Sequence, residues 1–183
     1  MLPGPDVQFR YADSAHAFRQ ESSFFYFSWF CEPSSLIVII NNDMGLSSII
    51  FVPPKDKLKE IWDGHRAGPI GAVDNFMFDK AYDNSQIDSM MPDILQGSEQ
   101  VLYSIGKKQG FDQKVIDWTT AASSKDRHSK SINITDASSL IGNVRLIKDD
   151  HEIDLIKKAC DISADAHIEA MKAVKEGDNE QYI

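Results

Sequence analysis

The chain has 183 residues, of which 42% are hydrophobic and 26% charged, and a net charge of −9. That is enough for one domain with a real core and an appendage. The acidic balance argues against generic binding to nucleic acid, which needs Lys and Arg to displace counterions, and against anionic membrane surfaces.

Residues 1–17 are polar, with Pro3, Gly4 and Pro5 early and no clear period. Then comes the most unusual stretch, Phe18 to Pro33. It holds Phe18, Phe24, Phe25, Tyr26, Phe27, Trp29 and Phe30 behind a polar block, Arg19 to Ser23. Each aromatic buries roughly 150–250 Å² when packed, so the cluster belongs to a core, an interface or both. Aromatics at odd and even positions break strand alternation. The other option is a short helical turn with Ser22 or Ser23 as N-cap. Glu32-Pro33 closes the stretch, and Pro biases the residue before it toward extended backbone.

Ser35 to Ile40 is a β-branched run that reads as a buried strand. Asn41 to Gly45 supplies turn residues, and Ser48 to Val52 completes a hairpin ended by Pro53-Pro54. Lys55 to Asp63 reads as a short helix with Leu58, Ile61 and Trp62 in one apolar stripe, stopped by Gly64. A Gly-punctuated loop follows from Gly64 to Gly71, then a short strand over Asn75–Phe78. A helix begins at Ser85 or Ser89 and runs to Leu95. Pro92 sits better in it with Ser89 as the cap.

Gln100 to Ser104 is a strand. A helix from Phe111 to about Ser123 places Phe111, Val115, Trp118 and Ala122 on one side. Ser123 to Ser131 is a polar loop, and Ile132–Ile134 a last short strand. The clearest helix starts at Asp149, with Glu152 three residues on as in a capping box. Ile153, Ile156, Cys160, Ala164, His167, Met171 and Val174 line one face, and Gly177 stops it. Its length is roughly 27 residues, near 40 Å.

Few residues offer chemistry. Cys31 and Cys160 lie far apart without metal-like spacing and read as ordinary intracellular thiols. No apolar run approaches the roughly 18 residues of a membrane span. The start lacks a signal peptide, so Asn133-Ile134-Thr135 reads as a chance glycosylation sequon and the expected compartment is the cytoplasm. His151-Glu152 begins like H-E-x-x-H, but Leu155 occupies the fifth position, which leaves His151 a surface residue. His167 reads as a packed histidine rather than a ligand, and Asp149-Asp150 as helix-start acids. Gly64-His65-Arg66-Ala67-Gly68 follows a helix and has no P-loop lysine, which argues against phosphate.

Two motifs carry a resemblance. Phe18, Arg19, Gln20, Ser22, Phe24, Tyr26, Phe30, Glu32 and Pro33 form a pattern similar to the N-terminal domain of Xaa-Pro aminopeptidases (aminopeptidase P), in the creatinase, prolidase and methionine aminopeptidase group. Trp62-Asp63-Gly64-His65-Arg66-Ala67-Gly68 resembles the same family's W-x-G-x-R-x-G. Arg145, Lys148, Glu152 and Ile153 resemble its R-x-x-K-x-x-x-E-I linker and first catalytic-domain helix. Two departures stand out. Trp29 occupies a place usually held by Gly, and is strained there if that position has positive φ. Ser23 replaces an acidic residue implicated in the neighbouring pocket of some members, so that role does not transfer. Leu2-Pro3-Gly4 resembles a point that follows a helix and most of a strand in the family, which implies a truncated or shortened start.

The resemblance implies an α/β fold, with a mixed central sheet flanked by helices. It is creatinase N-terminal-like (a ribonuclease H-like motif) over residues 1–140, followed by a long C-terminal helix. Residues 141–183 would be the linker and first helix of a catalytic metallopeptidase domain. The parent would be a manganese-dependent Xaa-Pro aminopeptidase that removes the residue preceding Pro. Its two manganese ions would be held by two Asp, one His and two Glu in that catalytic domain. This chain would hold no catalytic or metal residue and would be inactive alone, serving oligomerisation and access to the site. Its partners would be its own catalytic domain, other subunits and a peptide with Pro second. Trp62, and with it Arg66, would help shape a neighbouring subunit's substrate pocket. For Trp62 the alternative is an apolar anchor of its own helix; for Arg66 it is a local ion pair, the favoured reading. The alternatives for the chain are a free-standing binding module or the N-terminal domain of a prolidase.

Overall fold

Two β-branched strands, buried on both faces over Leu36–Val38 and Ile49–Val52 and exposed toward the hairpin end, organise the first unit of the computed structural model, which describes residues 1–125, 131–177, 179 and 181. They are β2 (Leu36–Asn42) and β3 (Gly45–Val52), antiparallel, with Leu36 opposite Phe51 and Ile37 opposite Ile50. A short strand β1 (Leu2–Pro3) pairs antiparallel with β2, and β4 (Lys80–Asp83) pairs parallel with β3. The sheet order is therefore β1-β2-β3-β4, a mixed sheet. A separate parallel pair joins β5 (Gln100–Leu102) to β6 (Asn133–Thr135).

Strand alternation sends successive side chains to opposite faces, and each face has its own core. On one, Ile37, Ile50 and Val52 pack with Phe24, Phe30, Ala72 and Phe78. These come from α1 (Ser22–Ser28) with its exit, and from α3 (Gly68–Phe76) with its exit. On the other, Leu36, Val38, Ile49 and Phe51 pack with Met91, Leu95, Val115, Trp118 and Ala122. Those sit on α4 (Ile87–Ile94) with its C-cap and on α5 (Gln109–Ser124). The expected apolar stripes of these two helices face this core, with Phe111 edge-on to Trp118 at 5.4 Å. The α/β architecture with helices on both faces of a mixed sheet is as the sequence leads one to expect.

Several elements differ from expectation. The aromatic stretch is helical, but its N-cap is Glu21, whose Oε2 accepts from Phe24 N at 2.8 Å. Ser22 and Ser23 lie inside the first turn. The second half of the loop expected from Gly64 to Gly71 is the start of α3: Pro69 stands in its first turn, where a missing N–H removes no helical bond. Asn75 and Phe76 end α3, so no strand runs through Asn75–Phe78. The strand is β4, a few residues later. Neither Ser85 nor Ser89 caps the next helix. Asp83 caps a 3-10 turn over Asn84–Gln86 that runs into α4, and Pro92 lies inside α4. The loop expected over Ser123–Ser131 falls largely on 126–130, outside the described residues, as does His128.

The chain divides into two compact units, Met1–Ser138 and Ser139–Ile183. The second contains most of α6 (Ser138–Val144), a helix without an obvious signal in the sequence, and α7 (Asp150–Ala173). The capping box of α7 is complete: Glu152 N donates to Asp149 Oδ1 at 2.8 Å, and Asp149 N to Glu152 Oε2 at 2.9 Å. The helix ends at Ala173, before Gly177, where Val174 turns extended. His167 is exposed rather than packed, because no described residue of α7 is buried; its Nδ1 donates to Ser163 O at 2.7 Å. His151 is exposed.

Candidate functional site

The site is built where the aromatic stretch meets the turn after α2 (Lys57–Asp63). Asp56 caps that helix by accepting from Leu58 N and Lys59 N, and Gly64 ends it at φ 85°. The predicted stripe exists as a face, but it faces water: Leu58, Ile61 and Trp62 are all exposed, Trp62 by 89%. Trp62 is thus no anchor of its helix.

Arg66 behaves as local pairing predicts. Its Nη2 lies 3.3 Å from Asp63 Oδ2, and its side chain is only 16% exposed. Its backbone N–H donates to Glu60 Oε1 at 2.9 Å. Glu60 Oε1 also lies 3.7 Å from His65 Nδ1. Ala67 N donates to Glu32 Oε1 at 2.6 Å, across 35 residues of sequence. Gly68 then starts α3 at φ 63°, and a Cβ there would come within 3.1 Å of Lys55 Cβ. The turn is therefore braced at consecutive amides by two carboxylates.

Glu32 is itself fixed. Gln20, buried in the aromatic stretch, donates through Nε2 to both Phe30 O and Glu32 O at 3.1 Å. Its Oε1 accepts from Glu21 N at 3.0 Å. Sequence reasoning found Trp62 and Arg66 but assigned no role to Glu32 or Glu60. The F-x-E-P motif held Glu32 in plain view, but nothing in a linear reading ties it to Ala67.

Among the described residues, no group of three or more His, Cys, Asp or Glu side chains converges to hold a metal ion. Two-metal hydrolysis needs several oxygen ligands around ions roughly 3.5–4 Å apart, and these residues do not fit that. Cys31 and Cys160 are both free and exposed. No helix among the described residues is long and apolar enough to cross a membrane.

The first unit is thus a three-layer α/β domain that carries a braced turn and an exposed Trp. Residues 1–103 match the family model for the aminopeptidase P N-terminal domain, and the chain belongs to that family. It is 31% identical to the Xaa-Pro aminopeptidase of Escherichia coli, over 100% of this chain and 42% of that protein. It is 28% identical to the Haemophilus influenzae Xaa-Pro aminopeptidase, over 89% of this chain and 36% of that protein. The chain thus spans less than half the length of these relatives. Among solved structures, the Pseudomonas aeruginosa aminopeptidase PepP superposes with a TM-score of 0.91 at 31% identity, covering 99% of this chain and 41% of its own. A zinc-substituted E. coli aminopeptidase P in complex with product superposes at 0.88 and 30% identity, covering 100% of this chain and 42% of that one.

Proposed function

We propose that this chain is the N-terminal, access-shaping domain of a manganese-dependent Xaa-Pro aminopeptidase, which removes the residue preceding Pro from a peptide. The observation that carries the reading is the likeness, over all of this chain, to a protein named Xaa-Pro aminopeptidase. The solved metal-substituted relative supports a metallopeptidase parent. In this reading the metal ligands lie in a catalytic segment outside this chain. Trp62 is a rigid apolar wall for the flat Pro ring of a substrate held by a neighbouring subunit. Arg66, neutralised by Asp63, keeps the turn in shape and does not compete for substrate charge.

The test uses the complete gene product with manganese and a peptide bearing Pro second. Release of the first residue is expected, and none from residues 1–183 alone. Trp62→Ala in the complete product should raise KM about tenfold, equivalent to about 1.4 kcal/mol, with kcat nearly kept, because a wall contact binds ground and transition states alike. No cleavage of any Xaa-Pro peptide overturns the reading, and cleavage confined to dipeptides points to a prolidase.

A further inference from the structure

The geometry points to Glu32 as the positioning residue of the Trp62 turn, a role that rests on the function proposed for that turn. An indole exposed by 89% has no packing of its own to aim it. Its direction is inherited from α2, near whose C-terminal end it stands, and the backbone between α2 and α3 holds that end in place. That backbone is held on one side by Glu60, through Arg66 N, and on the other by Glu32, through Ala67 N. Glu60 belongs to α2 itself, so it ties the turn only to the helix that carries Trp62. Glu32 is the hydrogen-bonded tie to the rest of the domain, alongside the packing of Ala67 against the core, because its own backbone is fixed by buried Gln20. Pro33 restricts the residue before it to extended conformations, which limits how Glu32 can move.

Two features suit the carboxylate to this place. It sits beside the start of α3, where backbone amides lack helical partners and the helix dipole favours negative charge. Its Oε1 makes a short bond to Ala67 N, as an ionised acceptor does. Its second oxygen, Oε2, is buried and accepts no hydrogen bond from the described residues.

The chain as it stands allows a direct test by amide hydrogen exchange on the native protein, Glu32→Ala and Glu32→Gln. Glu32→Ala should speed exchange at 66–68 by about tenfold relative to α5. Glu32→Gln, whose carbonyl oxygen still accepts, should restore most of the protection. Unchanged exchange at 66–68 in Glu32→Ala overturns the proposal. So does equal acceleration in α5, which is what a merely structural role gives.

A second arm uses the complete gene product. Glu32→Ala should raise KM for a Xaa-Pro peptide as Trp62→Ala does, with kcat kept and Glu32→Gln rescuing it. If Trp62→Ala raises KM and Glu32→Ala does not, the positioning role is overturned. If Trp62→Ala itself changes nothing, the function proposed for the turn fails, and the exchange measurement still judges the tie.

Discussion

Trp29 shows what a single residue can hold against its own preference. It ends α1 at φ 55° and ψ 9°, the left-handed region, with its N–H bonded to Phe25 O at 2.8 Å. An L-residue with a Cβ meets a penalty of roughly 1–2 kcal/mol there, which is why a glycine suits the place. Part of the offset is visible: the indole lies 5.3 Å from the Phe25 ring, tilted by 54°. Strain and stacking can be separated by comparing two substitutions. Trp29→Ala loses the ring contact and keeps the strain, whereas Trp29→Gly loses both. Trp29→Gly should therefore be the more stable of the two by about 1 kcal/mol, measured by urea denaturation. An alanine variant as stable as the glycine variant would mean that the backbone is not strained. The position of this residue was legible in the sequence, because the motif around it flags the one place that departs from glycine. Its partner Phe25 was not, since nothing linear says which of so many aromatics stacks on it.

At the scale of elements, legibility followed the strength of the local signal. The hairpin of β2 and β3, the stripes of α4 and α5, and the capping box of α7 were all plain from periodicity and cap chemistry. α3 was hidden because Gly68 and Pro69 signal a loop as readily as a helix start. β4 was hidden because Lys80-Ala81-Tyr82-Asp83 is short and half polar, and its place comes from parallel pairing with β3. The exposed face of α2 was hidden for a different reason: a stripe predicts amphipathicity, not what covers it. The entry to β4 carries its own lock. Ser48 donates to Asp79 Oδ2 from its backbone N at 2.7 Å and from its hydroxyl at 2.8 Å, and Asp79 N donates back to the hydroxyl. The backbone bond from Ser48, then its hydroxyl, hold the Asp79 carboxyl below its ordinary value of 3.8. The unfolded chain therefore takes up this proton at higher pH than the folded one. The lock is complete above the ordinary carboxylate range and is lost as pH falls through the folded value. Native protein and Asp79→Asn, compared by urea midpoint from about pH 6 to about pH 3, should converge on acidification. Parallel curves would remove Asp79 from the acid response.

Across the first unit as a whole, the arrangement that matters is a thin sheet with a separate core on each face. This explains why the site was only half readable. Trp62 and Arg66 announce themselves by motif, but their brace comes from Glu32, which reaches Ala67 only because α1 and α3 cover the same face of the sheet. The two-core plan also makes a quantitative claim about how the first unit stores its stability. Ile50 belongs to the core with Phe24, Phe30 and Ala72, and Met91 to the core with Val115 and Trp118. Both side chains are fully buried, and their clusters share no residue. Ile50→Val should cost about 0.5–1.5 kcal/mol and Met91→Ala about 2–5 kcal/mol. Because the sheet lies between them, the double variant should lose the sum of the two to within about 0.5 kcal/mol, in a single urea transition. A coupling well beyond that would mean that a cavity on one face loosens packing on the other. The sheet would then transmit strain between the Trp62 side of the domain and the α4–α5 side, rather than insulating them.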